Sequence, residues 1–291
     1  MVLWTVQFWL DYGINNSSWR LGIDDIFSLL DRSLKLWIHI LDTASVYGNA
    51  EEIIWQYIRN RWLKWKIKII SKFTGLSNNT TDIYSHIKES IWKSIHLLNV
   101  EFLDGYLLHN AKDFYNDSIL EAIVTLKKEW YIKNIWVSIY DPQDALCVSI
   151  NTNIDYIQIP FNIFDQRLKN TEFFNNCRSN WIKIFARSIF LQWLILMENT
   201  KIPQHLSWII PYLDEFDKII FNSNLTRQEA AMQYVLQNKD IDYLVFWVDN
   251  LFQLNENISI VKKNIDFSLE ILEIENKFKN IDLKIISPNL W

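Results

Sequence analysis

The chain alternates short apolar runs with longer segments that have helical spacing. The short runs predict strands over Val2–Val6, Ile38–Asp42, Ile67–Ser71, Leu103–Leu108, Asn134–Ser138, Asp155–Ile159, Ile182–Ala186 and Tyr243–Trp247. The amphipathic segments predict helices over Asp24–Leu36, Ala50–Asn60, Thr81–Leu98, Ser118–Glu129, Pro142–Ser149, Lys169–Cys177 and Thr226–Gln237. Continuous apolar strands that alternate with helices are typical of a parallel sheet covered by helices, and eight such units in roughly 250 residues predict a (β/α)8 TIM barrel.

Helix starts and the chain's end refine this prediction. Thr226 with Glu229 three residues later predicts a capping box, and Asp24 and Thr81 are further candidate caps. An extra C-terminal helix over Phe267–Lys279 is expected to pack across the side or bottom of the barrel. No linker divides the sequence, so residues 1–291 are interpreted as one domain. A doubly wound open sheet is the alternative, but the first strand–helix turn lacks the G-x-G-x-x-G pattern.

Composition and charge exclude several classes of partner. The 291 residues carry a net charge of −5 without a basic block, which argues against binding to nucleic acid or to an anionic membrane. The longest strongly apolar stretch, Ile189 to Met197, is much shorter than the roughly 20 residues of a membrane span. The N-terminus has no signal-peptide pattern, so a cytoplasmic protein is expected. Cys147 and Cys177 lack metal-ligand spacing, and neither a metal site nor a disulfide framework is expected.

The balance of tryptophan and glycine is abnormal. The chain has 15 Trp and 5 Gly, whereas ordinary usage would give about 20 Gly in this length. Trp37 and Trp130 stand directly after predicted helices, where a left-handed backbone favours glycine, and Trp62 and Trp65 stand in a connector. We hypothesise that UGA codons that mean glycine in the source have been translated as tryptophan.

Ionisable residues follow three neighbouring predicted strands. Asp42 ends the second strand, Tyr47 follows five residues later, Lys72 follows the third strand and His109 follows the fourth. The carboxyl ends of barrel strands meet at one mouth, so these four side chains are expected to converge. A tyrosine can act as an acid near neutral pH when a neighbouring Lys⁺ stabilises its phenolate and a buried Asp⁻ keeps that lysine charged.

The sequence resembles the aldo-keto reductase superfamily over nearly its whole length. The residues that carry this resemblance are Leu-Asp-Thr-Ala-Ser-Val-Tyr-Gly at 41–48, Glu51-Glu52, Ser-Lys at 71–72, Leu-Asp-Gly-Tyr-Leu-Leu-His at 103–109, Val-Ser at 137–138, Ile-Gln at 157–158 and Gln-Leu-Asn-Glu-Asn at 253–257. Several tryptophans coincide with glycines of that family: Trp4, Trp55, Trp136 and Trp247.

The resemblance implies reduction of a small-molecule carbonyl compound by NADPH, with NADH as the alternative cofactor. It implies that Tyr47 protonates the carbonyl oxygen, that Lys72 and Asp42 support Tyr47, and that His109 orients the carbonyl. The cofactor-binding residues that it implies, from the nicotinamide to the adenine end, are Ser138, Gln158, Arg187, Ser188, Phe190, Gln253, Glu256 and Asn257. No metal is implied.

Three positions depart from the family pattern. Arg187 stands where many relatives have an aromatic residue that stacks on the nicotinamide, Ile139 where an Asn often follows Ser138, and Gln253 where phosphate-preferring relatives often have Arg. In addition, indoles at Trp136 and Trp247 would obstruct the close approach of cofactor phosphates to backbone amides. The chain with Trp at these two positions is therefore expected to bind the cofactor more weakly than the chain with Gly.

Two other functions are compatible with the sequence. A barrel could bind the cofactor as a regulatory or interaction subunit without turnover. A lyase or aldolase could use Lys72 as a Schiff-base amine, but Tyr47 and residues 253–257 would then have no task. The sequence leaves the substrate and the oligomeric state open.

Overall fold

The protein is a closed barrel of eight parallel strands, each paired with the next and β8 paired with β1. The structure is a computed structural model that describes residues 1–8, 21–63, 65–77 and 79–291, without the side chain of residue 289. The strands β1 to β8 are Val2–Trp4, Ile40–Asp42, Lys68–Phe73, Gly105–Leu108, Ile135–Ser138, Tyr156–Pro160, Lys183–Arg187 and Tyr243–Phe246. The predicted (β/α)8 TIM barrel is confirmed, and all eight strands lie where the apolar runs predict them.

Helices surround this barrel. Helices α1 to α12 are Ile23–Lys35, Ala50–Arg61, Ile83–Leu98, Ala111–Phe114, Asp117–Lys128, Pro142–Ser149, Phe173–Ser179, Ile210–Ile220, Arg227–Leu236, Leu251–Lys262, Ser268–Phe278 and Leu283–Ile286. Short 3-10 helices lie at Thr5–Phe8, Leu194–Leu196, Asn199–Lys201, Gln204–Ile209, Phe221–Ser223 and Pro288–Leu290. In the described part of the chain, no helix is long and apolar enough to cross a membrane.

The helix caps confirm one prediction and correct two. Thr226 and Glu229 form the predicted capping box of α9. The cap of α1 is Gly22 rather than Asp24, which lies inside the first turn. The cap of α3 is Asp82 rather than Thr81, because the Asp82 carboxylate accepts from the backbone N–H of Ser85 at 3.0 Å.

Element ends account for the other differences. The first strand stops at Trp4, and the rest of the predicted run Val2–Val6 turns into a 3-10 helix. Helix α7 begins at Phe173, four residues later than the predicted Lys169, because Lys169 and Thr171 close turns before it. Helices α4, α8, α10 and α12 were not predicted.

The extra C-terminal helix is confirmed as α11, and it packs against α8 and the loop after β6. Lys277 of α11 pairs with Glu215 of α8 at 2.6 Å, and the Phe278 ring meets Phe164 in the loop after β6 at 4.9 Å between centroids. The chain then continues to the mouth, where α12, Ser287, Pro288 and Leu290 line a cavity with Tyr140 and Arg187.

Tryptophans occupy left-handed backbone positions. Trp37, Trp62, Trp65 and Trp130 have φ of 64°, 53°, 76° and 66°, which confirms the predicted conformation at the two helix ends, and Trp181 and Trp193 have φ of 60° and 70°. The side chains of five of these six are exposed; Trp193 is partly buried. A left-handed conformation costs a residue with a Cβ about 1–2 kcal/mol, and an exposed indole recovers little of this by burial.

Candidate active site

The barrel brings the four predicted catalytic side chains to one end. Asp42 is the last residue of β2, Lys72 lies near the end of β3 and His109 follows β4. Tyr47 comes from the short loop between β2 and α2. This loop is held by backbone bonds from the Tyr47 N–H to Ala44 O and from the Ala50 N–H to Tyr47 O.

Asp42 and Lys72 form a buried ion pair, and both side chains are 2% exposed. The Lys72 ammonium donates to Asp42 Oδ1 and, at 2.9 Å, to the carbonyl oxygen of Thr43. The second carboxylate oxygen of Asp42 accepts from Gln158 Nε2 at 3.0 Å. Desolvation opposes the charge on Lys72, but the charge of Asp42 and the neighbouring Tyr47 outweigh it, so the pKa of Lys72 is raised. Lys72 is therefore held as a cation.

Tyr47 lies between this cation and an indole. Lys72 Nζ is 4.8 Å from the centroid of the Tyr47 ring, which is 5% exposed. The indole Nε1 of Trp4 donates to the Tyr47 hydroxyl at 2.9 Å. Tyr47 therefore has a charged neighbour that can stabilise a phenolate and a bulky donor at its hydroxyl.

His109 lies at the mouth, in a cavity of about 630 Å³ that is also lined by Phe73 and Tyr140. Although part of the ring is exposed, desolvation by the surrounding protein lowers the pKa of His109, as do the positive charges of Lys72 and Arg187. A neutral imidazole can donate from one ring nitrogen to a polar group in the cavity.

The predicted carboxamide-binding residues Ser138 and Gln158 are cross-strand neighbours on β5 and β6. Both are buried, at 2% and 4% exposure. The Gln158 amide, however, donates to Asp42, so it is part of the ion-pair network. This link between Gln158 and Asp42 was not predicted, because periodicity does not show which side chains meet across a barrel.

The predicted residues after β7 lie beside this pair. The Arg187 guanidinium stacks on the Tyr140 ring at 3.9 Å and donates to Ile139 O and Ser188 Oγ, each at 3.1 Å. Its buried Nε has no partner among the described residues. Ser188 has φ of 58°, and Phe190 is buried. Arg187 and Ser188 also line a cavity of about 550 Å³ that adjoins the His109 cavity at Tyr140 and Asp141.

The predicted adenine-end residues lie on α10, which follows β8. Gln253 Oε1 accepts from the Asp249 N–H at 2.7 Å, and Glu256 is partly exposed. Asn257 is 1% exposed; its Oδ1 accepts from Gln228 Nε2 at 2.9 Å, and its Nδ2 has no partner among the described residues. Gln253 and Glu256 are partly exposed on α10, whereas Asn257 packs inward against α9.

The space between the ends of β7 and β8 is nearly filled. It measures about 30 Å³, and its lining includes Trp4, Arg187, Phe190, Trp193 and Trp247. The Trp193 and Trp247 rings lie 5.3 Å apart. The unpartnered Nε of Arg187 beside this space fits a nicotinamide cofactor, whereas the indoles of Trp4, Trp193 and Trp247, which fill the space, do not fit it.

Trp136 lies in the core of the barrel and not in the cofactor space, where the sequence predicts it. Its ring lies inside the barrel, 4.1 Å from Phe185 and 4.5 Å from Tyr156, one layer below Ser138. It fits because Gly105 has no side chain: a Cβ there would be 2.4 Å from Trp136 Nε1. Among the tryptophans expected to obstruct the cofactor, Trp247 lines the filled space and Trp136 belongs to the core.

A closed parallel barrel with ionisable groups at the carboxyl ends of its strands is typical of a TIM-barrel enzyme. The aldo/keto reductase family model matches residues 12–274, and the chain belongs to this family. It is similar to an uncharacterized oxidoreductase, YqkF, of Bacillus subtilis (strain 168), with 27% identity over 79% of this chain and 80% of that protein.

Solved structures agree on the fold. The holo form of aldo-keto reductase AKR11C1 from Bacillus halodurans has a TM-score of 0.76 and 20% identity, covering 95% of this chain and 91% of that one. An aldo/keto reductase from Klebsiella pneumoniae in complex with NADP and acetate has a TM-score of 0.68 and 15% identity, covering 97% and 92%. Family and relatives together support an oxidoreductase.

Proposed function

We propose that the protein is an NAD(P)H-dependent oxidoreductase that reduces an aldehyde or ketone to an alcohol, with Tyr47 as the general acid. The observation that carries this proposal is the buried Lys72 cation, held by Asp42 and 4.8 Å from the Tyr47 ring. A bound nicotinamide would supply the hydride. Ser138, Gln158, Arg187, Ser188 and Phe190 would hold its nicotinamide and pyrophosphate end, and Gln253, Glu256 and Asn257 its adenine end.

The proton moves at the Tyr47 hydroxyl. As negative charge develops on the carbonyl oxygen, Tyr47 gives up its proton, and Lys72 stabilises the phenolate that remains. The raised pKa of Lys72 keeps its charge in place during this step. His109, neutral because its pKa is lowered, would donate to the same oxygen and orient the carbonyl.

A Schiff-base function has less support. A lysine that attacks a carbonyl must be neutral, and enzymes achieve this by lowering its pKa. Lys72 has a raised pKa and donates to both Asp42 and Thr43. These contacts favour a cation that supports Tyr47 over an amine nucleophile.

NADPH is the proposed cofactor, because the related Klebsiella pneumoniae structure is a complex with NADP, and NADH is the alternative. The proposed partner is a small carbonyl compound that enters the cavity at His109. We also propose a cytoplasmic location, since Cys147 and Cys177 are both free thiols.

A barrel without turnover remains the second candidate, because Trp4 occupies the hydrogen-bonding side of the Tyr47 hydroxyl. Tyr47→Phe separates the two functions. NADPH and NADH are titrated into protein with Gly at positions 4 and 247, where the indoles line the filled space. Reduction of a panel of aldehydes and sugars is then followed by nicotinamide absorbance.

If the protein is a reductase, Tyr47→Phe should lower kcat by about 10²- to 10⁴-fold and leave the cofactor Kd unchanged, because it removes only the proton donor. Tyr84→Phe, which loses a surface contact between α3 and Glu129, is the matched control and should keep full turnover. If the parent protein with Tyr47 and the Tyr47→Phe variant both bind the cofactor but neither turns over, the result would favour the regulatory barrel.

A further inference from the structure

Several tryptophans have a left-handed backbone conformation, which favours glycine. Among the described residues other than glycine, eleven have positive φ, and six of these are tryptophans. Asn, which tolerates this conformation better than other residues with a Cβ, accounts for two. Tryptophan has no property that favours a left-handed backbone, so the pattern indicates positions shaped for glycine.

Trp193 is a left-handed tryptophan that lies at the proposed functional end of the barrel. It ends a run of positive φ over Leu191, Gln192 and Trp193, directly after the Arg187–Phe190 segment. Its ring packs against Phe190 at 5.6 Å and against Trp247 at 5.3 Å. Trp193 was not singled out from the sequence, because no regular element predicts a left-handed residue there.

Three indoles close the space between β7 and β8. Trp4 comes from the end of β1, Trp193 from the segment after β7 and Trp247 directly follows β8. The cavity that they line measures about 30 Å³, whereas ligand sites usually enclose about 300–1,000 Å³. The same Trp4 indole donates to the Tyr47 hydroxyl at 2.9 Å. The Trp4 indole therefore occupies a hydrogen-bonding position at the proposed acid, and the three indoles together fill the space beside Arg187 and Ser188.

We propose that the functional polypeptide has glycine at positions 4, 193 and 247, and that these glycines form the channel for the dinucleotide. The inference rests on the proposed function for the identity of the ligand. Glycine at the three positions would remove every indole from the lining of this space, free the Tyr47 hydroxyl and let backbone amides near the start of α10 approach an anionic group.

The first test is chemical and independent of any activity. Mass spectrometry of the protein isolated from its source cells identifies the residue at positions 4, 193 and 247. We expect glycine at all three. Tryptophan at these positions in the native protein would overturn the proposal.

The second test compares two triple variants of the full chain. Trp4→Gly/Trp193→Gly/Trp247→Gly opens the channel, while Trp37→Gly/Trp62→Gly/Trp181→Gly changes exposed left-handed positions outside the lining of the channel. Calorimetric titration with NADPH and NADH measures Kd for both variants and for the unsubstituted chain. We expect the channel variant to bind at least about 100-fold more tightly than the unsubstituted chain, and the control variant to bind like the unsubstituted chain.

The outcomes separate the two proposals. An unsubstituted chain that binds as tightly as the channel variant would overturn the channel. Glycine in the native protein without nicotinamide binding in the channel variant would uphold the residue assignment and overturn both the dinucleotide channel and the proposed cofactor. Tight binding without turnover would uphold the channel and overturn the reductase.

Discussion

The two halves of the barrel mouth differ in how complete they are. On the side of β2 to β4, Asp42, Lys72 and Tyr47 are held together by short polar contacts and a buried charge. On the side of β7 and β8, indoles fill the space, and Arg187 Nε lacks a partner among the described residues. Strand topology and polar pairing assemble the acid–base half, whereas the other half depends on how much room the residues at a few backbone positions leave.

Breaking the buried pair should produce the largest change in stability. Asp42→Asn leaves the Lys72 ammonium buried beside a neutral amide, and removal of one partner from a buried ion pair costs about 3–5 kcal/mol. The free energy of unfolding from urea denaturation measures this loss.

The matched control for this prediction is Glu89→Gln. Glu89 pairs with Lys93 across one turn of α3, and both side chains are more than 60% exposed. Its loss should cost no more than about 0.5 kcal/mol. Equal effects of the two substitutions would mean that the Asp42–Lys72 pair contributes no more than a surface contact.

The same contrast explains what the sequence could predict. The acid–base half was predictable because strand ends converge in a parallel barrel, so Asp42, Lys72 and His109 meet by topology once the eight strands are found. Apolar periodicity located the strands and most of the larger helices, but not α8 or α10. Short elements and caps such as Asp82 depend on side-chain hydrogen bonds, which periodicity does not reveal.

The side of the mouth at β7 and β8 was predictable from the sequence only in part. Composition exposed the excess of tryptophan, and helix ends identified Trp37 and Trp130, because a helix stop has a known backbone requirement. The conformation of Trp193 and the contact from Trp4 to Tyr47 depend on loop geometry and on packing across the mouth. Trp136 was assigned to the wrong environment for the same reason: its inward direction follows from the register of β5, not from the motif around it.

Substitution by glycine should stabilise the protein at exposed left-handed tryptophans and destabilise it at a tryptophan inside a helix. Trp62→Gly and Trp181→Gly each relieve about 1–2 kcal/mol of backbone strain and lose about 0.5–1 kcal/mol to the extra freedom of glycine in the unfolded chain. Each substitution should therefore raise the free energy of unfolding by about 0.5–1 kcal/mol. Their indoles are 91% and 87% exposed, so little packing is lost.

Trp92→Gly is the control for this comparison. Trp92 lies in the interior of α3 with 48% of its side chain exposed, and glycine in a helix interior costs about 1 kcal/mol relative to good helix formers. Thermal melting of the three variants gives the signs directly. A loss of stability at Trp62 and Trp181 similar to that at Trp92 would contradict the assignment of glycine-shaped positions.

A second buried carboxylate in the acid–base half provides the smallest predicted effect, a change in the pH dependence of stability. Glu51, 3% exposed in the first turn of α2, accepts from Ser71 Oγ at 2.7 Å and from Ser94 Oγ at 3.1 and 3.2 Å. Desolvation raises its pKa, and the bonds from Ser71 and Ser94 and the charge of Lys72 only partly oppose this.

Because the pKa of Glu51 is higher in the folded than in the unfolded state, its contribution to stability is fully present below the ordinary glutamate value near 4.3. That contribution is lost as the pH rises through the raised pKa of the folded state. Glu51→Gln should therefore flatten the decline in the free energy of unfolding above this pH, while Glu52→Gln on the exposed face of the same turn should keep it. An unchanged pH slope in Glu51→Gln would show that Ser71, Ser94 and Lys72 fully compensate the desolvation of the Glu51 charge. Both buried carboxylates of the acid–base half, Asp42 and Glu51, would then have their charge stabilised by neighbouring groups.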